Sequence, residues 1–495
     1  MRLFPALVPS KMWILVCSLA FSLTGCGGSA EDPLPPISDI FNLLPGEEIT
    51  VDGFVTVLPG TFESSTAEVG FAIQDSATAG VAGTIYVQVD PLLGLDFSSL
   101  KIGNSVRVRG VVSDFNLMIT LTVDEAADVT LNGGGGFIYF PQQMQTSEID
   151  ATASAPEQQA KIVRLNGQLQ LDPLGSGSPV VEISDMVGPI GWNLWLDDGS
   201  GLAQTFWHTT ANLDPAPLGF LTAGTELEVV GFLNRDDTSY EVFPRGNFDI
   251  SLSIPDTRNL AAGSHSLIRG VTALPAAALD PSGQYGFSLH EENGQGIFVS
   301  ITSPTFEVKD YEGNPMTTAD LGYIGFLNSI GLYPPVIVHV EGDLVDTTGG
   351  DRVIVPDPGG VRLVSAPLNF PPSVSYLTGS IAAADLGRIV STAGFLQVPP
   401  VGGNIPANGW TSVVGGYRCR INEVLNPIGG TGSINVFLPH NVIDPLNSGA
   451  NFLTDLLTWP IGVNIGEPLA VTGFLRHFDG EFEIVVLRNQ SGYID

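Results

Sequence analysis

The sequence predicts an all-β protein built as a tandem array of four small five-stranded barrels with short helices. Three observations lead to this prediction. The same order of strand, hairpin, short helix, strand and strand occurs four times. Apolar and polar residues alternate within the strand segments. The 495 residues include 59 Gly and 36 Pro, which are turn residues, and 43% of the chain is hydrophobic, as expected for a folded protein of several domains.

The first strand of each unit is an aliphatic segment with a Gly near its end. Its alternation of apolar and polar residues indicates a strand with one buried face. The four segments are ITVDGFVTVL from Ile49, IVRLNGQLQL from Ile162, SLIRGVTAL from Ser266 and RIVSTAGFLQV from Arg388.

The second and third strands form a hairpin, because Asp and Gly at the tips of the first three units supply the required turn residues. The segments are GFAIQD with GTIYVQV, NLWLDDGSGLAQTF, GFSLHEENGQGIFVSI and, for the fourth unit, INVFLPH. A helical or loop stretch follows each of them: DPLLGLDFSSL, TTANLDPAPLGFL, TTADLGYIGFLNSIG and NSGANFLTDLLTW.

The fourth and fifth strands form a second hairpin. The fourth strands are SVRVRGVV, ELEVVGFL, VIVHVEGDL and PLAVTGFL, and the fifth are MITLTVDEAADVTL, YEVFPRGNFDISL, DRVIVPDPGGVRLV and FEIVVLRNQSGYI. We expect Gly231 and Gly473 to lie at a bend where any side chain would collide. This strand order is that of an OB barrel.

Changes in composition between the units set the predicted domain limits. The GGGG run from Gly133, the IPDTRN segment near Ile254 and the NFPPS segment near Asn369 separate the units. The predicted OB-like domains are residues 46–133, 137–253, 256–368 and 369–495, preceded by a flexible tether at 27–45 and a signal peptide at 1–26.

The first unit resembles the OB-fold module that accompanies bacterial extracellular nucleases. The matching segments are ITVDGFVTV, GFAIQD, GTIYVQV and GNSVRVRGVVSDF, within residues 46–132. The resemblance decreases through the later units, and the catalytic nuclease domain is absent. It therefore implies a scaffold or binding module.

The N-terminus has the features of a lipoprotein signal peptide. Arg2 and Lys11 flank an apolar run that is too short to span a bilayer. The LTGC that follows resembles a bacterial lipobox, which would make Cys26 an acylated N-terminus and anchor the chain in the cell envelope. Gly27 favours the outer membrane. The alternative is an ordinary cleavage site with an incidental Cys.

The predicted mature chain is strongly acidic. Without residues 1–26 it has 17 Lys and Arg against 52 Asp and Glu, a net charge of −35. We expect such a surface to repel phosphate backbones and anionic lipids, so we do not expect nucleic acid as a partner, and membrane attachment would depend on the lipid anchor. Cys419 would be the only thiol besides the lipidated Cys26, and we expect it to be buried in a strand.

No catalytic motif is recognised, so we predict neither enzymatic activity nor a cofactor. The six His residues are scattered, and none lies beside an acidic cluster at zinc spacing. We expect no metal site; acidic turns containing Asp197, Asp198, Asp236 and Asp237 are candidates for calcium, with Asx turns as the alternative. The candidate ligand groove consists of Arg107, Arg109, Tyr417, Arg418 and Arg420, and the alternative is that the Arg residues pair with neighbouring carboxylates.

These features predict a non-catalytic cell-envelope lipoprotein that acts as a binding or scaffolding module for a surface protein or glycan. The alternative is a nucleic-acid-binding accessory of an extracellular nuclease system, acting through the first barrel. An enzyme with an unrecognised site is the third hypothesis.

Overall fold

The computed structural model describes most of the chain from residue 34 onward, and residues 35–495 form one compact unit. Among the described residues, no helix has both the length and the apolar character needed to cross a bilayer. The described ranges are 34–62, 69–75, 83–90, 92, 94, 96–115, 117–133, 141–151, 156–236, 239–278, 285–301, 306–310, 313–317, 336–347, 350–365, 374–397, 411–413, 416–422, 432–439, 466, 468–478 and 481–486.

Barrel 1 contains six strands: β1 (Glu48–Val57), β2 (Val69–Gln74), β3 (Thr84–Val89), β4 (Ser105–Phe115), β5 (Met118–Val123) and β6 (Val129–Gly133). The first five close into a ring in the order β1, β2, β3, β5, β4 and back to β1. Only β3 and β5 are parallel. Strand β6 pairs with β4 outside the ring.

Barrel 2 has the same ring with additions: β7 (Gln142–Gln143), β8 (Ile162–Gln170), β9 (Val180–Ser184), β10 (Pro189–Asp197), β11 (Leu202–His208), β12 (Glu226–Asp236), β13 (Ser239–Phe243) and β14 (Ile250–Leu252). The ring runs β8, β10, β11, β13, β12 and back to β8, with β11 and β13 parallel. Strand β9 pairs with β10, and β7 with β8.

Barrel 3 contains β15 (His265–Ala278), β16 (Tyr285–His290), β17 (Gly296–Ile301), β18 (Glu307–Lys309), β19 (Pro315–Thr317), β20 (Ile337–Asp346) and β21 (Arg352–Ser365). Its ring runs β15, β16, β17, β21, β20 and back to β15. Strand β14 of barrel 2 also pairs with β15. Barrels 2 and 3 therefore share one continuous sheet.

Barrel 4 contains β22 (Val374–Ser375), β23 (Ile389–Gln397), β24 (Thr411–Val413), β25 (Gly416–Asn422), β26 (Ser433–Pro439), β27 (Pro468–Phe478) and β28 (Glu481–Val486). Its ring runs β23, β25, β26, β28, β27 and back to β23. The prediction of four OB-like five-stranded barrels is confirmed. Cys419 on β25 is 1% exposed, as expected, and burial raises the pKa of its thiol.

The helices are short. Two α-helices, α1 (Thr146–Ala151) and α2 (Ile254–Asn259), occur among the described residues, with 3-10 turns at Ile37–Asn42, Ala126–Asp128, Pro156–Gln158, Thr209–Ala211, Asn247–Asp249, Thr378–Ser380 and Ala383–Asp385. We expected a helix or loop between the third and fourth strands. In barrel 1 the described part is turns, and in barrel 2 it begins with a 3-10 turn, since Pro215 and Pro217 oppose a longer helix. The corresponding residues 318–335 and 440–465 lie outside the described residues.

The register between the first and fourth strands is identical in the four barrels. The fourth-strand glycine always lies opposite the residue four positions before the first-strand glycine: Gly110 opposite Ile49, Gly231 opposite Val163, Gly342 opposite Ser266, and Gly473 opposite Val390. A Cβ on Gly110 or Gly231 would lie 2.7 Å from a carbonyl oxygen of the fifth strand. The predicted reason for these glycines is therefore confirmed.

Barrels 1 and 2 meet through the same contact as barrels 3 and 4. Phe232 and Phe474 directly follow the fourth-strand glycines of barrels 2 and 4. Phe232 packs on Tyr86 of β3 with ring centroids 5.6 Å apart, and Phe474 packs on Phe298 of β17 at 6.2 Å. Since Tyr86 and Phe298 both lie on third strands, the chain consists of two similar pairs of barrels. The repeated Gly-Phe-Leu sequence thus serves both barrel closure and pairing.

Candidate ligand-binding cleft

The predicted groove residues of barrel 1 are paired with carboxylates. Arg107 donates from Nε and Nη2 to the two oxygens of Asp52 at 2.8 and 2.9 Å, directly across the β1–β4 ladder. Arg109 forms the same bidentate pair with Glu48 at 2.8 and 3.0 Å. These hydrogen bonds lower the pKa of both carboxyl groups. The arrangement matches the ion-pair alternative.

The predicted groove residues of barrel 4 are paired as well. Arg418 donates to Glu483 at 2.6 Å, and Arg420 to Glu481 at 3.4 Å. Glu483 is fully buried and also accepts two hydrogen bonds from Arg476. The side chain of Tyr417 lies outside the described residues. The Arg residues of this surface therefore stabilise the barrel through their carboxylate partners.

The acidic turn of barrel 2 is held by hydrogen bonds. Asp197 Oδ1 accepts from the Gly199 amide at 2.7 Å. Asp198 Oδ1 accepts from the hydroxyls of Ser200 and Thr146 at 2.5 and 2.6 Å, which holds the pKa of its carboxyl well below the usual range. This is the Asx-turn alternative. The Asp236 side chain, Asp237 and Cys26 lie outside the described residues.

A cleft of about 760 Å³ lies between barrels 2 and 3. Strands β8, β10 and β12 line one side, while β15 and the turn after β16 line the other. Strand β14 crosses between the two sides, because it pairs with both β12 and β15. The cleft therefore lies beside the strand that joins the two barrels, and a ligand in it could contact both of them.

The floor of the cleft is an Arg–Glu–Arg group. Arg269, 8% exposed, donates from Nη1 to Glu228 at 2.6 Å and from Nη2 to the Phe248 carbonyl at 2.8 Å. Arg164 lies on the other side of Glu228, at 3.6 Å. Burial lowers the pKa of Arg269, although Glu228 opposes that shift. Within the described residues, the Nε atoms of Arg164 and Arg269 are buried and form no hydrogen bond, and Arg164 Nε is the atom that faces Glu228.

One wall connects the cleft to barrel 4. His290 is fully buried, and burial lowers its pKa to about 3, so the imidazole is neutral near pH 7. Its ring packs edge-on against Phe474 with centroids 5.6 Å apart. Beside it, Glu291 accepts a hydrogen bond from Asn293 at 2.9 Å, and burial raises its pKa. His290 thus lies beside the cleft and also contacts barrel 4.

Most of the residues that line the cleft are polar, and their formal charge is negative. It contains two Arg residues against six carboxylates, together with five amides that can both donate and accept hydrogen bonds. The carboxylates are Asp197, Asp198, Glu226, Glu228, Glu291 and Glu292, and the amides are Gln143, Asn166, Gln168, Gln170 and Asn293. Such a surface offers dense, direction-dependent hydrogen bonding to a polar ligand.

The sequence alone did not indicate this cleft. It depends on β14 pairing across two barrels, directly before residues 253–256, which we interpreted as a boundary. The available signal was a basic residue shortly before the first-strand glycine in neighbouring units, Arg164 in IVRLNG and Arg269 in SLIRG. Pattern alone could not show that these two residues share Glu228.

Comparisons with known proteins give distant structural matches with low TM-scores. No family model and no curated protein matches the sequence. Among solved structures, the p204 HINb domain matches with 12% identity and a TM-score of 0.24, covering 41% of this chain and 95% of that one. A murine DNA-binding protein bound to double-stranded DNA matches with 8% identity and a TM-score of 0.22, covering 39% and 90%. The single-stranded DNA-binding protein of Thermus aquaticus matches with 13% identity and a TM-score of 0.15, covering 42% and 94%.

These comparisons correct one expectation. We did not expect nucleic acid as a partner, and that exclusion is wrong, because similar structures include proteins that bind DNA. The physical reason is that net charge describes the whole chain, whereas screening limits a charge at the surface to a range of about 8–10 Å. At these identities and TM-scores, the likeness assigns no ligand to this chain.

Proposed function

We propose that this protein is a non-catalytic binding module whose ligand lies in the cleft between barrels 2 and 3, and that the ligand is a neutral, hydroxyl-rich oligosaccharide. The observation that carries the proposal is the cleft of about 760 Å³ with its lining of amides and carboxylates. Its volume is within the usual range of small-molecule sites. OB folds bind both oligosaccharides and oligonucleotides, so the chemistry of the lining has to distinguish them.

The lining chemistry favours hydroxyl groups. Carboxylates and amide oxygens accept hydrogen bonds from hydroxyls, while the amide nitrogens of the lining donate to hydroxyl and ring oxygens. A neutral ligand can make these bonds without repulsion from the six carboxylates. Asn166 and Gln168 are exposed on the same face of β8, which suits them for direct contact.

We also propose that the module acts in the bacterial cell envelope, attached through an acylated Cys26, with the outer membrane as its site. The LTGC sequence and the apolar run before it support this location. The predicted tether extended to residue 45, but Ile37 and Ile40 of the turn Ile37–Asn42 are buried in the core of barrel 1, so only the stretch before Ile37 would serve as a tether between lipid and barrel 1. Such a chain would hold a glycan of the cell surface close to the membrane.

The test is a binding screen of the full chain against neutral oligosaccharides, with single- and double-stranded DNA in the same assay. We expect saturable oligosaccharide binding that is lost in the double variant Asn166→Ala/Gln168→Ala. The matched control is Asn132→Ala/Gln397→Ala, which removes two amides away from the cleft. Oligosaccharide binding that both double variants retain would show that the ligand does not bind in the cleft. Saturable DNA binding without oligosaccharide binding would reject the glycan and support a nucleic-acid ligand.

A further inference from the structure

A second group of polar side chains lies on barrel 3, where β15, β20 and β21 meet. Ligand-type atoms of His265, Glu341 and Asp357 all lie within 4.8 Å of one another. The imidazole Nε2 is 3.4 Å from Glu341 Oε1, and Nδ1 is 3.1 Å from Asp343 Oδ1. His265 lies 76 or more positions before the three carboxylates. Their sequence spacing therefore gave no sign of a metal site.

The group depends on an irregularity in the sheet. His265 lies opposite Asp343 in the β15–β20 ladder. Between β20 and β21 the register shifts, so that Val340 pairs with Val361 but Gly342 pairs with Pro356. One residue of β20, Glu341, thus faces four residues of β21, beginning with Asp357. Bulges of this kind redirect side chains, and this one turns Asp357 toward His265, with their closest atoms 3.9 Å apart.

Barrel 1 shows what occupies the same place when no cation is needed. Glu48 lies five positions before the first-strand glycine, as His265 does, and Arg109 directly precedes the fourth-strand glycine, as Glu341 does. Arg109 pairs with Glu48 at 2.8 Å and with Asp128 at 3.9 Å. Barrel 1 therefore carries its own positive charge between two carboxylates.

Barrel 3 has Glu341 where barrel 1 has Arg109, so the permanent positive charge is replaced by a negative one. Among the described residues, neither Arg nor Lys pairs with Glu341, Asp343 or Asp357. The other contact of Glu341 is a hydrogen bond from Asn247 Nδ2 at 2.9 Å, which comes from barrel 2. Three half-buried or exposed carboxylates thus surround one imidazole with no fixed cation among them.

We propose that His265, Glu341 and Asp357 bind a divalent cation of the first transition row, with Zn²⁺ preferred. Imidazole nitrogen and carboxylate oxygen are the ligands that Zn²⁺ accepts, and water completes the coordination. His265 binds through Nε2, which faces Glu341, while Nδ1–H donates to Asp343. The Asp357 carboxylate, whose Oδ2 lies 3.9 Å from Nδ1, rotates to reach the ion. A carboxylate behind a metal-bound His is a common arrangement that fixes the tautomer and orients the ring. Because Asn247 holds Glu341, the ion also stabilises the junction of barrels 2 and 3.

The experiment is a titration of the chelator-treated full chain with Zn²⁺, Mn²⁺ and Ca²⁺, followed by calorimetry, with Co²⁺ absorption in the visible range as a spectroscopic probe. We expect one zinc per chain, weaker Mn²⁺ binding, and Ca²⁺ binding that is the same in wild type and variants. His265→Ala should weaken zinc binding at least about tenfold and remove the Co²⁺ spectrum. Asp114→Asn, at an exposed position of β4 in barrel 1, is the control for the loss of one negative charge.

A second variant separates metal binding from folding. Glu341→Arg puts an Arg beside Asp343 and Asp357 at the position where barrel 1 has Arg109, so the chain should fold, with wild-type circular dichroism, and should lose the zinc site. Absence of stoichiometric zinc in the wild type would overturn the proposal. So would equal zinc affinity in wild type, His265→Ala and Glu341→Arg.

Discussion

At the scale of single residues, Asp351 is a titratable carboxyl at the contact between barrels 3 and 4. Both of its oxygens lie 2.8 Å from the His477 amide of barrel 4. Burial raises its pKa to about 6, although this amide, Arg476 and Arg258 oppose the shift. A carboxyl whose folded pKa is raised favours the protonated form, so the fold loses stability as pH rises from about 4 through 6. Neutral pH is thus the unfavourable condition for this residue.

We therefore expect Asp351→Asn to raise the midpoint of thermal unfolding at pH 7.5, and the gain to shrink as pH falls below 6. Asp346→Asn is the control of opposite sign, because its hydrogen bond from Arg352 lowers the pKa of Asp346. That variant should lose stability at pH 7.5, and the loss should shrink only as pH falls below about 4. Thermal melts of the three proteins at several pH values test this. A lower midpoint for Asp351→Asn at pH 7.5 would contradict the account.

Cys26 carries a separate prediction at the residue scale. If the LTGC segment directs acylation, Cys26→Ser should leave the protein unprocessed or release it into the aqueous phase, while the wild type partitions into detergent. Phase partitioning of both proteins expressed in a bacterial host gives the comparison, with Cys419→Ser as the control that removes a buried thiol. Aqueous partitioning of the wild type would remove the lipid anchor from the proposed function.

At the scale of elements, the fourth-strand glycines close each barrel. A methyl group at Gly231 or Gly473 would contact a carbonyl oxygen of the paired fifth strand, which cannot move without breaking the ladder. We expect Gly231→Ala and Gly473→Ala each to lower the free energy of unfolding by about 1–3 kcal/mol, as overpacking does. Gly219→Ala is the matched control, because nothing lies within 4 Å of its added methyl. Denaturant titrations measure these free energies of unfolding. Equal stability of the three variants would contradict the claim that the fifth strand leaves no room for a side chain at these glycines.

The elements that sequence predicted are those with strong local signals. First and fourth strands alternate in hydrophobicity and carry the paired glycines, so Gly53 and Gly110 fixed the outline of barrel 1. Strand β25 is the second strand of barrel 4, but the sequence did not predict it. Residues 423–431, which separate β25 from β26, contain no Asp-Gly turn signal. Added strands such as β9 and β18 were missed, since short segments depend on tertiary pairing.

At the scale of the whole molecule, the contacts between barrels decide the sites, and no local pattern encodes them. Arg164 and Arg269 share Glu228 only because β14 joins barrels 2 and 3. Likewise, His265 approaches Asp357 only because β21 bulges opposite Glu341. The sequence was sufficient to predict the number of barrels. It also gave ion pairing of Arg107 and Arg109 with carboxylates as the alternative to a ligand groove. It could not give the cleft, whose walls are assembled from separate barrels.

The central claim is that ligand binds in the cleft between barrels 2 and 3, and hydrogen–deuterium exchange of the full chain tests it most directly. The oligosaccharide that binds best in the screen would be added at saturation. We predict slower amide exchange at residues 164–170, 226–228, 251–253 and 290–293, with little change in barrel 1. Protection confined to the barrel 1 strands around Arg107 and Arg109, with the cleft unchanged, would contradict the account.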